Sequence, residues 1–553
     1  MNVGEMQRKL SLWAEQDKEH RFFDLYHLLY DNAWLQLAHD YVKQNAGSKT
    51  AGCDGIRMSI FDENLEVNLL QLAKELKSES FEPYPVRRVH IKKTGGRFRP
   101  LGIPSIRDRI VQEALRMILE PIYEADFDQR SFGFRPNRRT MDAVKYLAAN
   151  TIGKQRYYWV IEGDISSYFD TIKHKRLMKL IRRRIKDRRI LNLIWKFLRA
   201  GVMENKLFKE TKIGTPQGGI ISPLLANIYL NELDRYMRRY TELSNWQRRY
   251  RRSKGEANFI YARYADDFVI LCNGRKKQAD ALKEELCEFL NEKLRLSLSK
   301  EKTKITHLND GFKFLGFRIQ RCRGKRGMVT KILIPKEAVE SVCDKIKRAT
   351  AASTHQDSVN SKILALNRIT GGWSRYYQYT SKATTQYKRV SYLLFWRMGH
   401  WLGRKYKCQM PRVFALYRQG NTIASNEQRL VMPVADIGTK IYKTKVFKPN
   451  PYTSQEKSLG RESLEDDNYW TGYERRPGMM DMRPLILRRD QHICQMCGIK
   501  VTERTAQVDH IRPAHRFKRA VEANRAENLW TLCKESCHAS KTKYDRQMES
   551  PLR

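Results

Sequence analysis

Acidic residues are scarce in this sequence: 61 Asp and Glu stand against 105 Lys and Arg in 553 residues, a formal net charge of +44. The excess is spread from end to end rather than gathered in a tail. A chain so balanced suits a polyanion, nucleic acid before any other, and repels itself without one. Long apolar runs are missing as well. No stretch approaches the about 20 apolar residues of a membrane span. Met1 to Gln16 has no apolar core and contains Glu5 and Glu15, unlike a secretory signal. An intracellular, cytoplasmic protein is therefore expected. Cysteine is sparse: Cys53, Cys272, Cys287, Cys322, Cys343 and Cys408 are scattered and read as buried or incidental thiols. The other four crowd near the C-terminus. Thiols that are free or metal-bound fit that compartment. The length exceeds a single domain.

What is present centres on Tyr264-Ala265-Asp266-Asp267. Apolar Phe259-Ile260-Tyr261 precedes it and Phe268-Val269-Ile270-Leu271 follows, a pattern of β-hairpin with the acids at its tip. Two adjacent carboxylates need a counter-charge, and Mg²⁺ suits carboxylates combined with substrate phosphates. Taken alone, such a pair is more often a solvated turn.

The stretch resembles the palm motif of reverse transcriptases, and two further blocks occur in the family's order. Val160-Ile161-Glu162-Gly163-Asp164 resembles the strand with the third acid, Asp164. Gly214-Thr215-Pro216-Gln217-Gly218-Gly219 resembles the block between them. The resemblance implies a right-hand polymerase of α+β multidomain class: fingers, a palm with an antiparallel sheet, and an α-helical thumb. It implies two Mg²⁺ ions on Asp164, Asp266 and Asp267. Phe169 would lie under the nucleotide sugar and exclude a 2′-hydroxyl. Gln217 would lie beside the template–nucleotide pair, and Gly218 and Gly219 allow close backbone approach. Lys92, Lys93, Arg97 and Arg99 on a basic hairpin would grip the triphosphate, where cations offset developing charge. Arg135 would face the template backbone, with a structural role as the alternative.

Other segments fill this frame. Trp13, Phe22, Phe23, Leu25, Tyr26, Leu28, Leu29 and Trp34 form a core-facing stripe within an N-terminal extension of about residues 1–50. Residues 171–200 read as a basic amphipathic helical region with Arg182, Arg183 and Arg184 on its polar side. Residues 235–257 form an Arg- and Tyr-rich insertion, either an RNA-contacting segment or a charged loop. Leu296 to Thr303 and Phe314-Leu315-Gly316-Phe317 resemble the last two palm blocks, the second a primer-grip hairpin. Asn367 to Tyr377 resembles the thumb, or maturase, domain of group II intron-encoded proteins, and its interleaved basic and aromatic residues suit RNA.

Near the C-terminus, Cys494-x-x-Cys497 and Cys533-x-x-x-Cys537 have a spacing that favours tetrahedral zinc. Val508-Asp509-His510, Asn528 and His538 accompany them and resemble the HNH nuclease, a ββα fold with one divalent ion. The resemblance makes His510 the base that activates water, Asp509 and His538 the ligands of the ion, and Asn528 the residue that orients the loop. A zinc ribbon that only binds nucleic acid is the plainer alternative. The expected domains are fingers and palm over 1–335, thumb or maturase domain over 336–430, a linker and DNA-binding region over 431–480, and the nuclease over 481–553.

The combination implies a group II intron-encoded protein: RNA-directed DNA polymerase, maturase and DNA endonuclease. Its expected partners are intron RNA, target DNA and deoxynucleotide triphosphates, with no membrane. The alternatives are a splicing-only maturase with inactive enzyme sites and another class of bacterial reverse transcriptase.

Overall fold

The structure, a computed structural model, describes residues 2–92, 98–152, 157–204, 207–209, 214, 218–299, 301–324, 327–443, 445–454, 486–487, 489–502, 505–512 and 528–541. The chain divides into two compact units, Met1–Asp466 and Asp467–Arg553. Among the described residues no helix is long and apolar enough to cross a membrane.

The first unit is built on a four-stranded antiparallel sheet. Its strands run in the order Phe259–Tyr264, Asp267–Cys272, Trp159–Asp164, Lys304–His307. Alternate side chains of a strand point to opposite faces. Tyr261, Phe268, Ile270 and Cys272 enter one core, while Ile260, Ala262, Val269 and Leu271 enter another. Both faces are thus covered, and the central strand Asp267–Cys272 reads as a continuous apolar run after its first residue instead of an alternating one.

The first core is closed by helices Ile106–Glu124, Ser222–Thr241 and Lys276–Phe289. The second is closed by helix Thr140–Asn150 and a three-stranded sheet of Phe312–Phe314, Phe317–Gly324 and Gly327–Leu333. Ahead of the palm, Val86–Lys92 and Phe98–Ile103 form the expected antiparallel hairpin, with Val202–Glu204 added in parallel. Beyond it, helices Lys336–Ala349, Val359–Tyr377 and Ala383–Lys405 surround a third core that includes Ile346, Leu366, Leu394 and Trp401.

Three expectations need correction. Trp34 is fully buried, but Trp13 and Phe23 remain exposed and do not join the N-terminal core. The basic region 171–200 is two helices, His174–Ile181 and Arg188–Arg199. In the break between them Arg184 turns inward, donating to the carbonyl of Ala14 at 2.9 Å and of Asp17 at 3.1 Å and pairing with Asp126 at 3.2 Å. Its two Nη groups satisfy carbonyls at the open end of the helix Val3–Gln16, a demand that a count of charges along the sequence does not register.

The expected linker is the third. Its described part, up to residue 454, is a strap bound along the polymerase body. The Tyr442 hydroxyl donates to Asp142 at 2.6 Å, and Phe447 packs on Phe132 and Tyr146. Asn450 donates to Ser11 at 2.9 Å and Glu15 at 2.7 Å, and the Tyr452 hydroxyl donates to Glu120 at 2.6 Å. The strap joins the segment after the thumb to the first helix of the chain, Val3–Gln16.

The second unit holds an antiparallel strand pair, Ala506–His510 with Leu529–Cys533, and a helical turn that opens at Cys537. Ile486, Leu487, Val501, Val508, Leu529 and Leu532 form its small apolar core.

Removing the Tyr452 hydroxyl with Tyr452→Phe is expected to destabilise the polymerase body by about 1–2 kcal/mol, as for a hydrogen bond to a charged group. Urea unfolding followed by the fluorescence of that unit measures it. No change would mean that the bond from Tyr452 to Glu120 contributes nothing to stability.

Candidate active sites

The sheet register brings the polymerase acids together. Asp164 lies directly opposite Asp267, and Tyr264 pairs with Asp267 across the two-residue turn Ala265–Asp266. Tight hairpin turns need a positive φ at their first central residue, and Ala265 has φ +57°. A residue with a Cβ adopts this conformation at a cost, so the turn must be held from outside.

The support is a buried polar network. Arg263 is fully buried on the strand that leads into the turn. Its Nε donates to Asp234 Oδ1 at 2.8 Å and its Nη2 to Oδ2 at 2.5 Å. Its Nη1 donates to Asn227 Oδ1 and to the carbonyl of Ala265, both at 2.9 Å. Asn227 in turn donates to the carbonyl of Gly133 at 2.9 Å. Gly133 lies so close to the tip that a Cβ there would come within 2.4 Å of the Ala265 nitrogen. One guanidinium therefore ties the turn to helix Ser222–Thr241, and one glycine lets a neighbouring loop cover it. The sequence reading missed Arg263, Asp234 and Asn227. The available signal was an arginine inside an apolar strand, which requires a buried partner.

The acids repel one another. Burial first, then the charges of Asp266 and Asp164, push the Asp267 carboxyl up to about 6. The residue as a whole is exposed, but its carboxyl faces the other acids. Lys302 answers part of this charge: its Nζ donates to Asp164 Oδ2 at 2.9 Å, which raises the lysine above its ordinary range. The backbone places it there, because Ser299 N donates to Asp164 O at 2.8 Å and Ser166 N to Ser297 O at 3.0 Å. Clustered carboxylate oxygens with excess negative charge suit hard divalent cations, so the donor set fits Mg²⁺.

The remaining expected residues are less uniform. Phe169 stands on the short helix Tyr168–Thr171 with its ring half-buried, 5.5 Å edge-on to Tyr168. Gly218, at φ +115°, approaches the Gly102 carbonyl as a residue with a Cβ could not. Lys93, Arg97 and Gln217 lie outside the described residues, as do the side chains of Lys92 and Arg99. Arg135 does not face a template. Its buried guanidinium forms a pair with Glu124, Nη2 to Oε1 at 2.7 Å and Nε to Oε2 at 3.0 Å, and donates to the Ser131 carbonyl at 2.8 Å. The carbonyl of Asp128 accepts from it as well, and such partners compensate the desolvation of this group and hold it inside. At the expected primer-grip turn, Tyr376 and Tyr377 donate to the carbonyls of Leu315 at 2.7 Å and Gly316 at 3.0 Å. These thumb aromatics brace the palm.

In the second unit the four sulfur atoms of Cys494, Cys497, Cys533 and Cys537 lie within 4.8 Å of one another, with Cys497 and Cys533 at 3.8 Å. Tetrahedral zinc with Zn–S bonds of about 2.3 Å requires sulfurs about 3.8 Å apart. Burial opposes ionisation of Cys494, but backbone N–H groups of Cys497, Met496 and Cys533 outweigh it and bring the thiol down to about 6. The cluster fits a structural zinc.

Asp509 and His510 end one strand, and His538 Nε2 lies 3.9 Å from Asp509 Oδ2. Asn528 spans the loop after His510. Its Oδ1 accepts from Arg512 N at 2.9 Å, its Nδ2 donates to Arg512 O at 3.1 Å, and its own carbonyl accepts from Ile511 N at 2.7 Å. The sequence reading missed Asp490, which accepts from Thr531 N at 2.8 Å and ties the strand pair to the preceding turn.

A three-acid palm followed by a helical thumb is the architecture of a nucleic-acid polymerase. Comparison with known families agrees. Residues 91–319 match reverse transcriptase (RNA-dependent DNA polymerase), residues 339–418 the maturase-specific domain of group II introns, and residues 494–544 HNH endonuclease. The chain is 43% identical to protein YkfC of Escherichia coli K12, over 61% of this chain and 93% of YkfC. It is 35% identical to the group II intron-encoded protein LtrA of Lactococcus lactis subsp. cremoris, over 56% of this chain and 59% of LtrA. It is 27% identical to the putative COX1/OXI3 intron 2 protein of Saccharomyces cerevisiae, over 92% of this chain and 65% of that protein. The chain belongs to the family of group II intron-encoded proteins.

Two outcomes are expected. Breaking the buried pair with Arg263→Met should cost about 3–5 kcal/mol, since it leaves Asp234 uncompensated. Adding Asp234→Leu should recover most of that stability in urea unfolding, yet not primer extension, because the Ala265 carbonyl still lacks its donor. Recovery of both would mean that the bond from Arg263 to the Ala265 carbonyl is not needed for primer extension.

The second concerns pH. Asp267 binds its proton more tightly when folded, so its contribution to metal-free stability falls as pH rises from about 4 to about 6 and is flat above. The stability difference from Asp267→Asn should change across that window. Mn²⁺ affinity should weaken as pH drops below 6, because a proton must be displaced. Titration of Mn²⁺ followed by electron paramagnetic resonance at pH 5 and pH 8 checks the sign.

Proposed function

We propose that this protein is a multifunctional mobile-intron protein. It copies RNA into DNA, binds its intron RNA and promotes splicing, and nicks target DNA so that the new end primes reverse transcription. The observation that carries the reading is the joint presence of two built sites: three carboxylates gathered at one end of a buried sheet, and an Asp-His strand end beside a four-cysteine cluster. Relatives whose names describe group II intron-encoded and intron maturase proteins support the RNA partner.

In the palm, Asp164, Asp266 and Asp267 would hold two Mg²⁺, which supply charge neutralisation at the attacking and leaving oxygens when bound. Arg263 keeps the turn rigid, so the carboxylates are positioned before substrate arrives. Lys302 neutralises Asp164 in the absence of metal and is exposed enough to swing away. Phe169 is the residue we assign to the nucleotide sugar, where its ring would exclude a 2′-hydroxyl. In the nuclease, His510 accepts the proton of the attacking water, and Asn528 holds the following loop in place. Asp509 and His538 would ligate a single divalent ion. Zinc on the four cysteines is structural and takes no part in the reaction. In the fingers, Lys92, Lys93, Arg97 and Arg99 are the residues we assign to the triphosphate.

Separation of the two activities tests the assignment. Asp266→Ala should abolish primer extension on an RNA template with deoxynucleotides while leaving DNA nicking within twofold of wild type. His510→Ala should do the reverse, with nicking reduced at least 100-fold, the size of a typical acid–base contribution. A wild type that stimulates splicing but neither extends nor nicks would identify a splicing-only maturase.

A further inference from the structure

The insertion ahead of the catalytic hairpin contains a helix, Asn245–Ser253, with no buried residue. A nine-residue helix without an apolar face has little reason to form. It is held by its ends. Ser244 and Gln247 form a capping box, the Ser244 hydroxyl accepting from Gln247 N at 3.2 Å and Gln247 Oε1 from Ser244 N at 2.8 Å. Arg248 donates to the Thr241 carbonyl at 2.9 Å and Arg251 to the Ala257 carbonyl at 3.0 Å. Asn258 returns a bond to the Arg248 carbonyl at 3.0 Å. Two arginines are thus spent on anchoring.

The outward groups are different. Trp246 is 69% exposed and Tyr250 51% exposed, and at i, i+4 their rings lie parallel, with centroids 5.4 Å apart and planes within 9°. Lys254 Nζ stands 5.7 Å from the Tyr250 ring. Arg249 and Arg252 are exposed and make no ion pair among the described residues. The acid nearest in sequence, Glu256, is paired to Arg251 at 3.0 Å. Large aromatic rings held in solvent by a tethered frame, with uncommitted guanidinium groups beside them, match what unpaired nucleotides offer: flat apolar faces and a phosphate on each unit. Duplex RNA does not, because its base faces are already stacked. An acidic peptide would pair with the arginines and leave the rings wet.

We infer that the helix Asn245–Ser253 is a docking surface for unpaired RNA, in which bases stack on Trp246 and Tyr250 while Arg249 and Arg252 bind the backbone. The surface is separate from the polymerase site. Strand Phe259–Tyr264 begins after the helix and ends at the catalytic turn, and six residues of strand span about 20 Å. The choice of RNA rests on the function proposed above.

The test uses the full chain and fluorescence anisotropy with two probes, an unstructured 20-nucleotide RNA and an RNA hairpin of the same length. Trp246→Ala/Tyr250→Ala should weaken binding of the unstructured RNA about tenfold and leave the hairpin unchanged. Trp246→Phe, which keeps a ring, should retain most of the affinity. Arg249→Ala/Arg252→Ala should weaken both probes and lower the salt slope on the single strand by about 1.4, the share of two phosphate contacts. Primer extension at saturating template and the thermal transition should match wild type in every variant. The inference is overturned if the ring variant binds the single strand like wild type, if it loses both probes equally, if extension falls with binding, or if wild type does not bind unpaired RNA. Failure of the enzymatic reading appears elsewhere, as a wild type without extension or nicking.

Discussion

The polymerase site depends on one ion pair that never meets substrate. Arg263 and Asp234 are both fully buried. Two charges taken out of water are costly, and a pair like this is a poor source of stability compared with apolar residues of the same volume. Its value is directional. The Nη1 group that donates to Asn227 has a second N–H, and that donor meets the carbonyl of Ala265. A left-handed alanine at the head of a two-residue turn would otherwise relax, and relaxation would move both Asp266 and Asp267. An apolar core alone could not specify this turn, because packing is indifferent to the orientation of a peptide plane.

The same economy of charge governs the acids. Three carboxylates cannot all be ionised at close quarters without a cation, and the protein supplies a temporary one. Lys302 lies on a segment whose backbone is bonded to the strand of Asp164, so the cation is delivered by the fold, not by a flexible arm that happens to fall there. Yet the lysine is largely exposed and pays no desolvation cost to leave. The arrangement tolerates the absence of metal and yields to its arrival.

Much of this was legible in the sequence, and the part that was not shares one cause. The apolar–acid–apolar hairpin, the third acid, the cysteine pairs and Asn528 could be read because each is defined by local pattern or by resemblance of short blocks. Strand pairing then followed, since Asp164 and Asp267 fall in register. Arg184 was misread as outward-facing, and for Arg135 the structural role given as the alternative is the one that its burial supports. Their partners, Glu124 and the carbonyls of Ala14 and Asp17, lie 11 and about 170 residues away. A long basic side chain looks identical in sequence whether its head meets phosphate or a helix end. The strap from Tyr442 to Tyr452 was missed, among its described residues, for a related reason: its polar composition describes a linker, and its hydrogen bonds to Glu120 and Glu15 are made over more than 300 residues.

This revises what the net charge of +44 means. Formal charge is a guide to polyanion binding only where the groups reach solvent. Arg109 is buried and donates to the carbonyls of Pro104, Gly47 and Thr50. Arg135, Arg184 and Arg263 are buried as well. Each guanidinium fastens a loop or a helix end through several bonds at fixed angles, which a lysine with its single point charge cannot do. The basicity of the chain thus has two origins. One is arginine used as an internal connector in a fold with many chain reversals. The other is surface charge, some of it paired with surface acids such as Glu232 and Glu337, and only this second part is available to nucleic acid. A prediction of RNA contacts must therefore begin from which arginines the fold has already consumed, and the helix Asn245–Ser253, which consumes two of its four and leaves two outward, illustrates the division within one short helix.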